Sequence, residues 1–246
     1  TTVQLGALTT TQVKGISTTN LAGISTAQLT GITSNQLGAL TTTQIAAFGT
    51  ISIGHLTTTQ IDGLTAAQIT ALATTQVGAL TTGQIGSLTV TQIKGFSTTN
   101  IGVITTAQLT GITSTQIAGL STTQLNAFST TNIAHISTTQ FSGLTTLQLA
   151  GLNSTNFAAL TTTQIGGLTT TQVKALTSTQ LTAMTTTQFG ALNTVQLGNL
   201  TVTQIDDIST TNIAGITTAQ LTGLTSTQLG ALTITQMAAL TTISIG

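Results

Sequence analysis

The chain repeats every eight residues, with large apolar residues at two fixed places in each octad. If Thr1 is position 1, position 5 is always Leu, Ile, Val, Phe or Met, and position 8 is always Leu, Ile, Phe or Met. Position 4 is Gln or Asn in every complete octad except at Ser52, and Ser244 occupies it in the last, incomplete one. Self-similarity at one fixed period predicts a solenoid of stacked repeats.

The spacing of the apolar positions favours short helices over strands. Positions 5 and 8 are three residues apart, and position 8 is five residues from position 5 of the next octad. Because side chains alternate between the two faces of a strand, residues at odd spacings cannot all lie on one face of a plain strand. In a helix, positions 5 and 8 share a face. Position 1 is mostly Thr or Ser, which are good N-caps, and Gln at position 4 completes a capping box. Each octad is therefore predicted to form one capped helical turn.

Position 7 is mostly Gly or Ala, with His55, His135, Asn199 and Asp207 among the exceptions. Gly and Asn suit a left-handed residue just past a helix end, so we expect one there. A β-solenoid is the alternative, because Thr, Ile and Val favour strands and stacked identical coils would align rows of Thr and Gln.

A longer unit is nested in the octads. The sequence aligns with itself at shifts of 80 and 192 residues, and both shifts are multiples of 16. In addition, the six Phe all fall in even-numbered octads. These residues are Phe48, Phe96, Phe128, Phe141, Phe157 and Phe189. We therefore predict an α-solenoid with two octads, or 16 residues, in each layer and with the Phe side chains in its core. Burial in such a layer does not offset the cost of ordering it, so we expect Gln and Thr hydrogen bonds between layers.

The pattern predicts one continuous solenoid over residues 1–246. The sequence opens and stops inside the repeat, whereas solenoids normally end in atypical capping repeats, so we expect a window on a longer array.

Charge is almost absent from the sequence. The charged side chains are Lys14, Lys94, Lys174, Asp62, Asp206 and Asp207, which gives a net charge of zero. Such a chain has no field to attract nucleic acid, and its neutral surface favours association with copies of itself, end to end and also laterally. There is no run of 18 apolar residues, so no membrane span is predicted.

The sequence predicts no catalytic, cofactor or metal site, and so no enzyme. His55 and His135 are ten octads apart, too far to share a metal, and Asp206–Asp207 is an acidic pair with too few oxygens for calcium. No phosphate-binding loop motif occurs. The Thr and Ser rows could carry glycans, and on a flat β face they could bind ice.

The octads L-T-T-T-Q-I-A-A at 40–47 and L-T-T-T-Q-I-G-G at 160–167 resemble repeats of very large bacterial surface or secreted proteins, which are often labelled adhesins. The resemblance implies an extracellular or cell-surface protein. From it and the composition we expect a structural protein that forms or extends an extracellular filament, sheath or matrix fibre. The alternatives are a passive stalk of a large adhesin and, third, an ice-binding solenoid.

Overall fold

Short helices account for the regular structure in residues 1–240, which are the residues that a computed structural model describes. These residues form thirty α-helices of four to six residues and no strand. The chain is thus a helical repeat protein, as the spacing of positions 5 and 8 predicted, and the β-solenoid alternative is not supported. Isolated helices this short are unstable in water, so packing and caps must hold them.

Each octad supplies one helix, which begins at position 2 and ends between positions 5 and 7. The helices are α1 (Thr2–Gly6), α2 (Thr10–Lys14), α3 (Thr18–Ala22), α4 (Thr26–Leu29), α5 (Ser34–Ala39), α6 (Thr42–Ala46), α7 (Thr50–His55), α8 (Thr58–Asp62), α9 (Ala66–Thr70), α10 (Thr74–Ala79), α11 (Thr82–Ser87), α12 (Val90–Ile93), α13 (Thr98–Gly102), α14 (Thr106–Leu109), α15 (Ser114–Gly119), α16 (Thr122–Leu125), α17 (Thr130–His135), α18 (Thr138–Ser142), α19 (Thr146–Ala150), α20 (Ser154–Ala158), α21 (Thr162–Gly166), α22 (Thr170–Lys174), α23 (Ser178–Ala183), α24 (Thr186–Gly190), α25 (Thr194–Gly198), α26 (Val202–Asp206), α27 (Thr210–Ala214), α28 (Thr218–Leu221), α29 (Ser226–Gly230) and α30 (Ile234–Ala239).

The helix starts confirm the predicted capping box. In α6 the N-cap residue Thr41 has φ −72° and ψ 158°, and its Oγ1 accepts a hydrogen bond from the Gln44 backbone N–H at 3.1 Å. The Gln44 Oε1 in turn accepts from the Thr41 backbone N–H at 2.8 Å. The two bonds satisfy two of the donors that a helix start leaves unpaired.

The helix ends correct one prediction, since no residue among 1–240 has a positive φ. Gly63, at position 7, has φ −72° and ψ −15° and continues the right-handed conformation. The reversal occurs instead at position 8, where Leu56 has φ −59° and ψ 136° and its N–H donates to the Ile53 carbonyl. An extended residue at position 8 turns its own apolar side chain inward, so no left-handed residue is needed.

The described chain divides into two compact units, the first from Thr1 to His135 and the second from Ile136 onward. Within each unit, the helices that pack on one another are three apart along the chain, for example α7 on α10 and α27 on α30. Side-chain hydrogen bonds link residues 28 to 31 positions apart. One turn therefore holds between three and four octads, about 28 residues.

The predicted layer of two octads is wrong. Each octad carries only two large apolar side chains, at positions 5 and 8, so two octads would place four around a core. Three to four octads place six to eight there and enclose the core more completely. The prediction of one continuous solenoid over residues 1–246 stays a prediction, and residues 241–246 lie outside the described part.

Positions 5 and 8 form the core in both units. Ile53 is 0% and Leu56 is 4% exposed, and the six Phe side chains are each at most 3% exposed. This confirms the prediction that the Phe residues pack in the core.

Candidate functional site

The most distinctive chemistry of the molecule lies between successive turns, where the position 4 side chain contacts two helices at once. In the octad of α11, Gln84 Oε1 accepts a hydrogen bond from the Thr81 backbone N–H at 2.7 Å. Its Nε2 donates to the carbonyl oxygens of Ile53 at 2.9 Å and Leu56 at 2.6 Å. Only 2% of Gln84 is exposed. The amide therefore caps its own helix and bonds to the turn before it.

The two acceptors explain why this arrangement is stable. The last carbonyls of a helix have no partner inside that helix. Ile53 and Leu56 occupy positions 5 and 8, at the end of α7, and their carbonyls receive the Gln84 amide protons. The Ile53 carbonyl also accepts from the Leu56 N–H, so the Leu56 carbonyl is the one that depends on Gln84. A buried polar group without a partner would cost about 1–3 kcal/mol, so each glutamine removes such a penalty on both sides of the contact.

The same contact recurs in both units, and we call the set the glutamine ladder. Its members, each donating from Nε2 to a carbonyl 28 residues earlier, are Gln36, Gln44, Gln60, Gln68, Gln76, Gln84, Gln92, Gln108, Gln116, Gln124, Gln164, Gln172, Gln180, Gln188, Gln196, Gln204, Gln220, Gln228 and Gln236. The expectation of glutamine bonds between layers is confirmed, over a longer separation than predicted.

Asparagine at position 4 makes only part of the contact. Asn100 Nδ2 donates to the Leu72 carbonyl at 3.2 Å, and its backbone N–H donates to the Oγ of the N-cap residue Ser97. The return bond to the N-cap backbone, which Gln92 makes to Thr89 at 2.8 Å, is not formed in α13. The asparagine side chain is one methylene shorter and reaches only one of the two partners.

Replacing Asn100 with glutamine should stabilise the chain by about 1 kcal/mol, since the longer amide completes the capping box. Slower hydrogen exchange of the Ser97 backbone N–H would report the new bond directly. The matched control, Gln92→Asn, should speed exchange of the Thr89 N–H. Unchanged exchange at Ser97 would contradict the conclusion that a position 4 glutamine bonds both to the N-cap N–H and to the preceding turn.

One octad among the described residues lacks both the N-cap side chain and the position 4 amide. The N-cap of α7 is Gly49, which has no side chain to accept a hydrogen bond, and position 4 is the buried Ser52. An open cleft of about 330 Å³ lies beside them, lined by Ile24, Ser25 and Ile51 among others. The cleft therefore lies where a glutamine would reach toward the preceding turn.

Glycines allow the turns to approach each other closely. A Cβ on Gly63 would lie 2.3 Å from the Ser34 carbonyl oxygen, and one on Gly31 would lie 2.2 Å from the Thr2 carbonyl oxygen. Both are at position 7 and face position 2 of the octad three earlier. The glycines that the sequence predicted as left-handed residues thus serve backbone contact between turns instead.

The scarce ionisable residues do not gather into a site. His55 and His135 are exposed. The Nδ1 of His55 lies 2.8 Å from the carbonyl oxygen four residues earlier in its own helix, and the corresponding distance for His135 is 2.7 Å. Asp206 ends α26 and Asp207 follows it, with Asp207 Oδ2 buried and without a hydrogen bond. Within residues 1–240, no three His, Cys, Asp or Glu side chains come together as metal ligands.

The outer surface is built from positions 1, 2, 3 and 6, as in the octad of α8, where Thr57, Thr58, Thr59 and Asp62 are exposed. Position 1 hydroxyls cap the helices, and those of position 3 face solvent. None of the described helices has the length and hydropathy of a bilayer span.

Comparison with protein-family models identifies the family of the repeat. The model of the ALTTAQ repeat matches residues 15–50, 53–90, 133–170 and 150–186, together slightly more than half of the chain. The chain belongs to the ALTTAQ repeat family. Among curated proteins, no similar sequence was found.

The letters of the family name correspond to positions 7, 8, 1, 2, 3 and 4 of the octad, as in Ala-Leu-Thr-Thr-Thr-Gln at residues 39–44. In structural terms, an ALTTAQ repeat runs from the small residue at the helix end, through the extended core residue and the N-cap, to the glutamine of the ladder. The family name therefore spans the junction between helices, where the contacts between turns are made.

The sequence signalled this site only in part. The capping box could be predicted because both partners lie within one octad. The second role of glutamine could not, since the register of one turn on another is set by the whole core. The available signal was that position 4 is nearly always an amide, Gln or Asn, and never Glu, although Glu would cap equally well. Only the amide can also donate.

Proposed function

We propose that this ALTTAQ repeat chain is a structural element that assembles end to end with copies of itself, and so forms or extends an extracellular filament, sheath or matrix fibre. The observation that supports this most strongly is the glutamine ladder. Each contact between turns joins two unlike faces, one that presents amide donors and one that presents helix-end carbonyls.

A contact between unlike faces is heterologous, and such a contact can be added without limit when it does not close into a ring. In this segment, the glutamines of the first octads, Gln4, Gln12 and Gln28, are exposed. Their amides are the donors that members of the ladder use further along the chain. Where no turn of the same chain precedes them, a second copy that offers helix-end carbonyls would fit them in the same register.

The surface of the chain suits an extended assembly. Three Lys and three Asp are dispersed over 246 residues, so copies do not repel one another. The resemblance to bacterial surface repeats supports an extracellular or cell-surface location. The exposed Thr residues of position 3 are open to glycosylation in that location.

The test compares two double variants of the purified chain. Gln12→Glu with Gln28→Glu keeps the capping boxes, because a carboxylate still accepts from the N-cap N–H, but it cannot donate to a carbonyl. Thr11→Glu with Ala27→Glu is the control, as it adds the same charge to the same helices at exposed outer positions. Particle length is measured by electron microscopy and sedimentation velocity over a range of concentrations.

The proposal predicts that the unmodified chain and the control lengthen with concentration, while the Gln→Glu variant stays short. Discrete rods at every concentration would contradict it and support the stalk of a larger adhesin. Equal growth of all three proteins would show that the amide donors are not used. The ice-binding alternative required a flat β face, and residues 1–240 contain no strand to form one.

A further inference from the structure

The glutamine ladder is interrupted at one place among the described residues. From the fifth octad to the thirtieth, every position 4 side chain is an amide except that of Ser52. In the octad before it, Gln44 Nε2 donates to the carbonyls of Lys14 and Ile16 at 3.0 Å and 2.7 Å. In the octad after it, Gln60 makes the matching contact. The two neighbours therefore define the contact that Ser52 is too short to make.

Two carbonyls of the preceding turn lie where a glutamine in place of Ser52 would donate. Ala22 and Ile24 precede Ser52 by 30 and 28 residues, which are the separations that join Gln44 to its two acceptors. Both residues line the cleft of about 330 Å³. Within the described chain, neither carbonyl accepts a hydrogen bond. We call this place, formed by Ala22, Ile24, Gly49 and Ser52, the ladder gap.

The next turn supplies a donor and a buried hydroxyl to the ladder gap. Ser52 is 6% exposed and lines the cleft, and its Oγ has no hydrogen-bond partner in the part of the chain that the structure describes. Gly49 also lines the cleft, and its backbone N–H lacks the side-chain oxygen that Gln44 offers to Thr41. A buried hydroxyl without a partner is costly, so the ladder gap favours a ligand that bonds to it.

The chemistry of the ladder gap matches one functional group. A primary carboxamide carries two N–H donors and a carbonyl acceptor, so it can bond to the Ala22 and Ile24 carbonyls and to the Gly49 N–H together. None of the residues that line the cleft is charged, and a bound ion would lose water without gaining a counter-charge. The aliphatic side chain of Ile51, which is 69% exposed and lines the cleft, offers contact to an alkyl stem. The cleft volume is at the lower end of the range for small-ligand pockets, about 300–1,000 Å³.

We propose that the ladder gap binds a primary carboxamide on a short alkyl stem, which is the group that ends a glutamine side chain. A free amide and a glutamine side chain of a second copy both carry this group. The ladder gap lies within the first unit, and its binding of a carboxamide does not depend on the proposed end-to-end assembly.

The test uses propionamide as the probe, because it reproduces the glutamine side chain from its β-carbon. Propionate and propylammonium are the comparison ligands, since they have a similar size but carry acceptors alone or donors alone. Ser52→Gln fills the ladder gap with the chain's own amide, and Thr59→Gln is the matched control, because it adds the same side chain at an exposed position 3. Saturation-transfer NMR measures ligand binding to the full chain, and circular dichroism checks that both variants keep their helices.

We expect propionamide to bind the unmodified chain and Thr59→Gln with the same saturable affinity, in roughly the millimolar range. Ser52→Gln should weaken this binding about tenfold or more. Propionate and propylammonium should bind about tenfold more weakly than propionamide, as expected for the loss of one hydrogen bond. No saturable binding of propionamide, equal binding to Ser52→Gln, or equal binding of the three ligands would each overturn the proposal.

Sedimentation velocity distinguishes the two sources of the amide. If Ser52→Gln lowers the association of copies and Thr59→Gln does not, a glutamine side chain of a second copy occupies the ladder gap. If association is unchanged while the unmodified chain binds propionamide, the occupant is a free amide. Chains that lengthen with concentration without binding propionamide defeat only this inference, and chains that bind it but stay short at every concentration defeat only end-to-end assembly.

Discussion

Replacing Gln84 with leucine should lower the free energy of unfolding by about 3–5 kcal/mol, although leucine is apolar and the site is buried. The substitution removes the bond from the Thr81 N–H and both bonds to the carbonyls of Ile53 and Leu56. The Leu56 carbonyl is then left buried without the amide donor, at about 1–3 kcal/mol, while the Ile53 carbonyl loses one of two donors and keeps the Leu56 N–H. Chemical denaturation gives the total loss, and amide hydrogen exchange locates it, with faster exchange expected in α7 and α11.

The matched control is Gln12→Leu. Gln12 also accepts from its N-cap, the Thr9 N–H, at 2.8 Å, but it is exposed. Its replacement should cost only the cap, about 1 kcal/mol. The difference between the two variants isolates the bonds between turns. If both substitutions cost the same, the ladder would be a set of helix caps and would contribute nothing between turns.

Two Gly→Ala substitutions should change stability in opposite directions. A methyl group on Gly63 would lie 2.3 Å from the Ser34 carbonyl oxygen and 2.7 Å from two further backbone atoms of Ser34. Because backbone must move to admit it, Gly63→Ala should destabilise the chain by about 1–3 kcal/mol. Urea denaturation of the purified variant, followed by circular dichroism, measures the effect.

Gly78→Ala is the control. Gly78 lies within α10, and a Cβ there would meet nothing within 4 Å. Alanine favours the helix over glycine by about 1 kcal/mol, so this variant should be more stable than the original chain. A stabilising effect of both substitutions would mean that the turns around Gly63 do not approach as closely as described.

Local structure was predictable here because each octad contains its own signals. The N-cap threonine, the glutamine three residues later and the i, i+3 apolar pair specify one capped helical turn, as in Thr41, Gln44 and Ile45. The prediction of no catalytic, cofactor or metal site stays a prediction, although His55 and His135 each bond within their own helix.

Relations between turns were not predictable in the same way. The number of octads per turn depends on how many apolar side chains close the core, and no single octad encodes that number. For the same reason, the role assigned to Gly63 was wrong: a glycine that permits backbone contact and a left-handed glycine look alike in sequence. Only the register of Gly63 on Ser34 distinguishes them.

The most direct test of the glutamine ladder is a near-atomic cryo-electron microscopy map of the purified chain. The account predicts stacked helical turns separated by roughly 8–10 Å. It also predicts the position 4 amide, for example Gln84, on the carbonyl of the residue 28 positions earlier, Leu56. A 4.8 Å repeat of stacked strands, or turns that return after 16 residues, would contradict it.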